Sequence, residues 1–266
     1  MLFRSGYREQ GFINGLYYDA NEAERRAVGE QRASLLLFAD QIRVGLAGNL
    51  AAIACDAGLP EAAVLARLDG KTVGFIANNP MFKGGALDAD ACQKVTSFMV
   101  LCDSFNVPIV FLVDVPGFLI GLEGEMRGMP GKVINWMNAL TQVTVPKVTI
   151  IMRKNYGQAY INMGGGKNTD EVVCWPGADL GFMDPAVSVN VLYGVRREDD
   201  PERFKQLVAE VERDTAPWGL AELYEAQDVI DPRDTREFLV RTLEVHRMRM
   251  KNGVGEHLLR NWPTSY

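Results

Sequence analysis

Histidine is the side chain best suited to moving protons near neutral pH. This chain has only two, His246 and His257, both near its C-terminal end. No Gly-x-Ser-x-Gly elbow occurs, so a Ser-His-Asp hydrolase would need one histidine folded back onto a distant serine. No Gly-x-x-x-x-Gly-Lys-[Ser/Thr] loop occurs either, and Gly164-Gly165-Gly166-Lys167 reads as a loop after a helix end. The cysteines at 55, 92, 102 and 174 show neither Cys-x-x-Cys nor metal-ligand spacing. Cys92 and Cys102, in an expected helix, read as buried, reduced thiols, and no metal is expected.

What remains is main-chain chemistry at two glycine-bearing turns. One is Pro116-Gly117-Phe118, after the apolar run that Asp114 ends; the other is Tyr156-Gly157-Gln158-Ala159-Tyr160. A tight turn and a helix start both expose N–H groups that lack intrahelical acceptors. Two such donors converging on one oxygen make an oxyanion hole. It would serve a reaction in which charge develops on a carbonyl oxygen, as in an enolate, with no side-chain nucleophile. The same glycines also suit plain tight connections, and the residues alone leave both readings open.

The elements around these turns must bring them together. Val107 to Val113 and Val145 to Met152 read as strands buried on both faces, the usual state in α/β layers. Ligands sit at the carboxyl ends of such strands. Asp69-Gly70, between two apolar runs, predicts a hairpin. Asp88 or Asp90 caps a helix over about 90–105, and Val133 to Gln142 reads as another. Short strands are expected at Val172–Trp175 and Leu180–Met183. Asp184-Pro185 starts a helix or turn, Asp200-Pro201 a helix to about Thr215, and Asp231-Pro232 one to about Met250. Strand, helix, strand is βαβ grammar.

Composition agrees. A 47% hydrophobic fraction supports a sizeable core, and a net charge of −6 argues against nucleic acid as a partner. The apolar window Ala33–Cys55 is broken by Asp40, Gln41, Arg43 and Asn49, so no membrane span is expected. The N-terminus lacks a signal-peptide core, and the expected location is cytoplasmic. Residues 1–63 read as a mostly helical extension, and residues 64–266 as one domain.

Several strings, in order, resemble one family. They are Arg67-Leu68-Asp69-Gly70-Lys71-Thr72-Val73-Gly74, Leu87-Asp88-Ala89-Asp90-Ala91, Cys102-Asp103-Ser104-Phe105-Asn106-Val107-Pro108 and Val113-Asp114-Val115-Pro116-Gly117-Phe118. Val145-Pro146-Lys147, Arg153-Lys154-Asn155-Tyr156-Gly157-Gln158-Ala159-Tyr160 and the stretch Asp228 to Arg236 complete the set. Together they resemble the carboxyltransferase (beta) subunit of biotin-dependent acyl-CoA carboxylases, in its C-terminal, biotin-side, crotonase-like half.

The resemblance implies an α/β fold, a ClpP/crotonase-like ββα spiral domain with C-terminal helices. It also implies carboxyl transfer between carboxybiotin on a carrier protein and an acyl-CoA such as acetyl- or propionyl-CoA. The oxyanion donors would be Gly157, Gln158 and Ala159, beside Gly117 and Phe118. Tyr160, Ile161, Pro116 and Tyr156 would line the substrate. Biotin would arrive on a partner, since no Met-Lys-Met signature is present. The implied partners are a biotin carboxyl carrier protein, biotin carboxylase and an acyl-CoA-binding N-terminal half or subunit, in a homo- or hetero-oligomer. A transcarboxylase, a biotin-dependent acyl-CoA decarboxylase subunit and a non-catalytic crotonase-fold scaffold are the alternatives. Three positions depart from the family's pattern: Gln158 where Gly is common, Ile161 where Asp is frequent in propionyl-preferring members, and Ile120 where Pro is common. The family's acyl-CoA-binding domain does not fit into the first 60 residues, so that half is expected on a separate polypeptide or on a longer parent chain.

Overall fold

The computed structural model describes residues 61–80, 83–250 and 256–259. The expectations for the N-terminal extension, the Ala33–Cys55 window and the Trp262 tail fall outside these residues. The hairpin at Asp69-Gly70 forms as its sequence predicts. Strand β1 (Glu61–Leu68) pairs antiparallel with β2 (Lys71–Asn78), Leu68 opposite Lys71. Asp69 and Gly70 take φ of 50° and 74°, the left-handed pair that an Asp-Gly turn accepts.

From β2 onward the sheet is parallel. Its order is β1-β2-β3-β4-β5-β7, with β3 at Ile109–Val115, β4 at Lys147–Tyr156, β5 at Glu171–Cys174 and β7 at Asp228–Val229. Strand β6 (Asp179–Gly181) pairs with the far end of β4. Helix α1 (Ala89–Ser104) links β2 to β3, and the Asp88 carboxylate caps it by accepting from the N–H groups of Asp90 and Ala91. Helices α2 (Leu122–Met126) and α3 (Met129–Gln142) link β3 to β4; α4 (Gly157–Asn162) follows β4. Then come α5 (Pro185–Tyr193), α6 (Pro201–Asp214), α7 (Pro217–Glu222) and α8 (Thr235–Arg247).

Both faces of the sheet are covered, which is why β3 is apolar along its whole length bar Asp114. On one face Phe75, Leu112, Ile150 and Trp175 pack on Phe238, Leu239 and Leu243 of α8. On the other, Phe111, Val113 and Val115 meet Val95 and Met99 of α1, Trp136 and Leu140 of α3, and Ala159 of α4. Cys92 and Cys102 are fully buried in α1. Burial pushes the thiols of Cys102 and Cys174 up to about 12, so neither is a thiolate at neutral pH.

The structure departs from the sequence reading at four places. Strand β4 does not stop at Met152 but runs to Tyr156. The stretch 119–131, whose Gly121, Gly124, Gly128 and Pro130 read as a loop, holds α2 and the first turn of α3, which opens at Gly128 with φ of 67°. Helix α7 and the two-residue β7 were not anticipated, being too short for any periodicity to register. Asp231-Pro232 starts a 3₁₀ turn (Pro232–Asp234) ahead of α8, rather than one continuous helix.

Candidate active site at the ends of β3 and β4

Three parallel strands end together at one edge of the sheet, and polar side chains tie those ends. Asn78 closes β2; its Oδ1 accepts the Asp114 backbone N–H at 2.7 Å, and its Nδ2 donates to the Asp114 carbonyl. Gly85 packs against this contact: a Cβ there would lie 2.7 Å from both Asn78 Nδ2 and the Asp114 carbonyl oxygen. The Asp114 carboxylate, wholly buried, receives Arg153 from β4. Arg153 donates from Nε at 3.0 and 3.1 Å and from Nη2 at 2.9 Å, and the Lys154 N–H adds a contact at 3.3 Å. This pair spans the two strands that carry the candidate turns.

Opposite Asp114 the ladder breaks. Val113 pairs with Ile151, and Val115 pairs with Asn155, so two residues of advance on β3 match four on β4. The bulge lets β4 carry Arg153 onto Asp114 and still rejoin β3 one residue before Pro116. Bulges re-aim chains beside functional sites. As a result the turn leaving β3 and the helix leaving β4 start side by side.

Beyond Val115, the Gly117 carbonyl accepts from Leu87 N–H at 3.0 Å, and Leu119 N–H donates to the Leu87 carbonyl at 2.8 Å. The Phe118 N–H, between them, has no acceptor among the described residues. Its ring stands edge-on to Trp136, centroids 6.2 Å apart. Gly117 has φ of 145° and open space where a Cβ would be. Gly157 has φ of 60°, and a Cβ there would come within 3.1 Å of the Phe182 carbonyl. The N–H groups of Gly157, Gln158 and Ala159 open α4 and have no intrahelical acceptors.

The structure therefore brings Pro116, Gly117 and Phe118 to the same sheet edge as Gly157, Gln158 and Ala159. Pro116 to Phe118 and Gly157 are half-buried, Gln158 is exposed and Ala159 is buried. The Gln158 side chain lies along the helix, donating from Nε2 to Asn162 Oδ1 at 3.0 Å, and so leaves its own backbone N–H uncovered. Asn162 in turn donates to the Val133 carbonyl at 3.1 Å, fastening α4 to α3.

The tyrosines sit differently. Tyr156 is only 3% exposed, and its hydroxyl donates to the Asp179 carboxylate, tying β4 to β6. Burial, then Asp179, raises its pKa far above the usual range. A side chain so enclosed is a strand tie, not an open substrate wall. Tyr160 is half-buried and donates to Glu225 Oε2 at 2.8 Å; burial first, with Glu225 contributing, raises it to about 12. Ile161 is half-buried on the same helix, and Ile120 stands 94% exposed beyond the Gly117 turn.

The sequence reading missed the ties that hold this edge together, Asn78 and Arg153 on Asp114, and the buried Asn155 beside them. Asp114 and Arg153 each stood out as a charge ending an apolar run, which was the available signal. Among the described residues no group of three or more His, Cys, Asp or Glu could hold a metal ion, and no helix is long and apolar enough to cross a membrane.

Comparison with known proteins gives the family of the chain. A family model described as a carboxyl transferase domain matches residues 63–254. The methylmalonyl-CoA carboxyltransferase 12S subunit of Propionibacterium freudenreichii subsp. shermanii is 37% identical over 186 residues, 68% of this chain and 36% of that protein. The propionyl-CoA carboxylase carboxyltransferase subunit of Haloferax mediterranei is 39% identical over 191 residues, 70% of this chain and 37% of that protein. A solved transcarboxylase 12S structure, described as a hexamer assembly with methylmalonyl-coenzyme A bound, superposes with a TM-score of 0.69 at 33% identity. That match covers 77% of this chain and 40% of the other, so this chain spans little more than a third of its relatives' length. The fold is the crotonase-like α/β fold of these carboxyltransferases. With matching residues over most of its length and this fold, the chain belongs to the carboxyl transferase domain family.

Proposed function

We propose that this chain supplies the biotin side of a carboxyltransferase, acting between carboxybiotin on a carrier protein and an acyl-CoA held by a partner. Biotin, when bound, supplies the carboxyl group in activated form. The chain's own part is electrostatic: N–H groups of Gly157, Gln158 and Ala159, with Gly117 and Phe118 beside them, hold the ureido oxygen and take up charge building on it. The observation behind this reading is the register of Val115 with Asn155, which sets the two turns side by side at the carboxyl ends of adjacent parallel strands.

The residues fit the group. Open space beside Gly117 admits a ligand atom close to the main chain, and the Phe118 N–H has no acceptor among the described residues. Asp114 and Arg153 act as positioning residues, locking the ends of β3 and β4 so that the donors at the start of α4 need no reorganisation. Pro116, Tyr160 and Ile161 flank the opening. The carboxyl acceptor comes from an acyl-CoA-binding half or subunit, and a biotin carboxyl carrier protein and biotin carboxylase complete the cycle. Buried reduced cysteines fit a cytoplasmic setting.

Relatives that catalyse different overall reactions match about equally, 37% for a transcarboxylase subunit and 39% for a carboxylase subunit. The partner therefore sets the direction of transfer. Reconstitution tests the proposal: the purified chain should show no acyl-CoA carboxylation until an acyl-CoA-side subunit and biotinylated carrier are added. Full activity from the chain alone would overturn it.

A further inference from the structure

Asn155 is wholly buried, and neither its Nδ2 nor its Oδ1 has a hydrogen-bond partner among the described residues. Trp136, Asp179 and Arg247 each leave one buried atom unpaired; Asn155 leaves both a donor and an acceptor. Buried polar groups in native proteins are almost always paired, and an exception signals strain or function. A leucine of similar size would remove both unpaired groups, a change that is nearly neutral or stabilising for a fold, so the carboxamide adds nothing to stability that the structure shows.

Its position supplies the reason. Asn155 lies two residues before Gly157 and is the register partner of Val115, the residue before Pro116. Register partners share a sheet face, which puts Asn155 in the layer of Val115 and Ala159, opposite to Tyr156 and its Asp179 tie. The groups assigned to the ligand on the two turns are N–H donors. Those can hold a ureido oxygen but offer nothing to the ligand's own N–H. A carboxamide presents an acceptor beside a donor, the complement of an amide or cyclic urea edge.

We propose that Asn155 is a specificity-determining residue of this site, left unpaired in the free protein so that a bound cyclic urea pairs it. The inference rests on the biotin-side reading. Seating the ligand shifts the half-buried Pro116–Phe118 turn off the enclosed amide, and the hydrogen bonds made there select a urea over an ester or thioester of the same shape.

The test is a titration of the ¹⁵N-labelled full chain with 2-imidazolidinone, a minimal cyclic urea, followed by NMR. Saturable shifts of both the Asn155 side-chain amide and the backbone N–H signals of Gly157 to Ala159 are expected. Shifts in the backbone signals alone would overturn the role of Asn155 and leave the site intact; shifts in neither would overturn the biotin-side reading as well. A second measurement is independent of the first. Asn155→Leu should raise Tm and weaken 2-imidazolidinone binding at least about tenfold, since leucine leaves the urea N–H desolvated without an acceptor. A lowered Tm would mean the amide is already paired. A raised Tm with unchanged binding would mean the ligand never touches it. Either result overturns the inference.

Discussion

Asp114 and Arg153 show what one buried ion pair does for a site made of backbone. Asp114 is sealed from solvent, while the Arg153 side chain keeps 22% exposure. Replacing Arg153 by Met leaves the carboxylate in the sheet without its main counter-charge, and should cost about 3–5 kcal/mol in chemical denaturation. Pairing that change with Asp114→Asn should recover most of the loss, because both charges are then gone; a double variant as unstable as the single would contradict the assignment. Each residue was visible in the sequence as the charge ending an apolar run. Their pairing was not, because the partners lie on different strands 39 residues apart and meet only through the β4 bulge. Tyr160 gives a second residue-scale prediction. Its pKa is raised from 10 to about 12, so the neutral form is favoured by folding. The stability this provides is complete below pH 10 and is lost as pH rises from 10 towards 12. Denaturant midpoints over that range should fall more steeply for the wild type than for Tyr160→Phe.

At the scale of elements, β3 and the hairpin were legible because continuous apolar text and Asp-Gly have one common reading each. The end of β4 was not. Arg153, Lys154 and Asn155 look like turn residues, yet the bulge gives Arg153 a buried acid and returns Asn155 to the ladder. The helix after it is held from below by a close packing. A Cβ at Gly165 would fall 1.9 Å from the Tyr160 ring. Gly165→Ala should therefore displace that ring, break the Glu225 hydrogen bond and cost about 1–3 kcal/mol, the usual range for overpacking. Thermal melts would check the stability, and tyrosine ultraviolet difference spectra the ring. An unchanged Tm would show that Tyr160 packs elsewhere. Gln158 matters less than its departure from the family pattern suggests, since its side chain bonds Asn162 and lies off the turn.

For the whole molecule, the family and the crotonase-like fold were legible from motifs spread over three-quarters of the chain, and the match over residues 63–254 bears them out. Roles at the site were less legible, because backbone donors leave no side-chain signature and the constellation exists only once parallel strands are in register. The proposed function turns on main-chain N–H groups at the start of α4 stabilising charge during carboxyl transfer. Gln158→Pro isolates this. Proline is tolerated in the first turn of a helix, and Gly157, lacking a Cβ, accepts the ring after it. The substitution thus deletes one N–H that no helix bond uses. With partner subunit and biotinylated carrier present, the rate of carboxyl transfer should fall about 10²–10³-fold while Tm and partner binding hold, the usual loss for one oxyanion donor. Transfer at the wild-type rate would contradict the account.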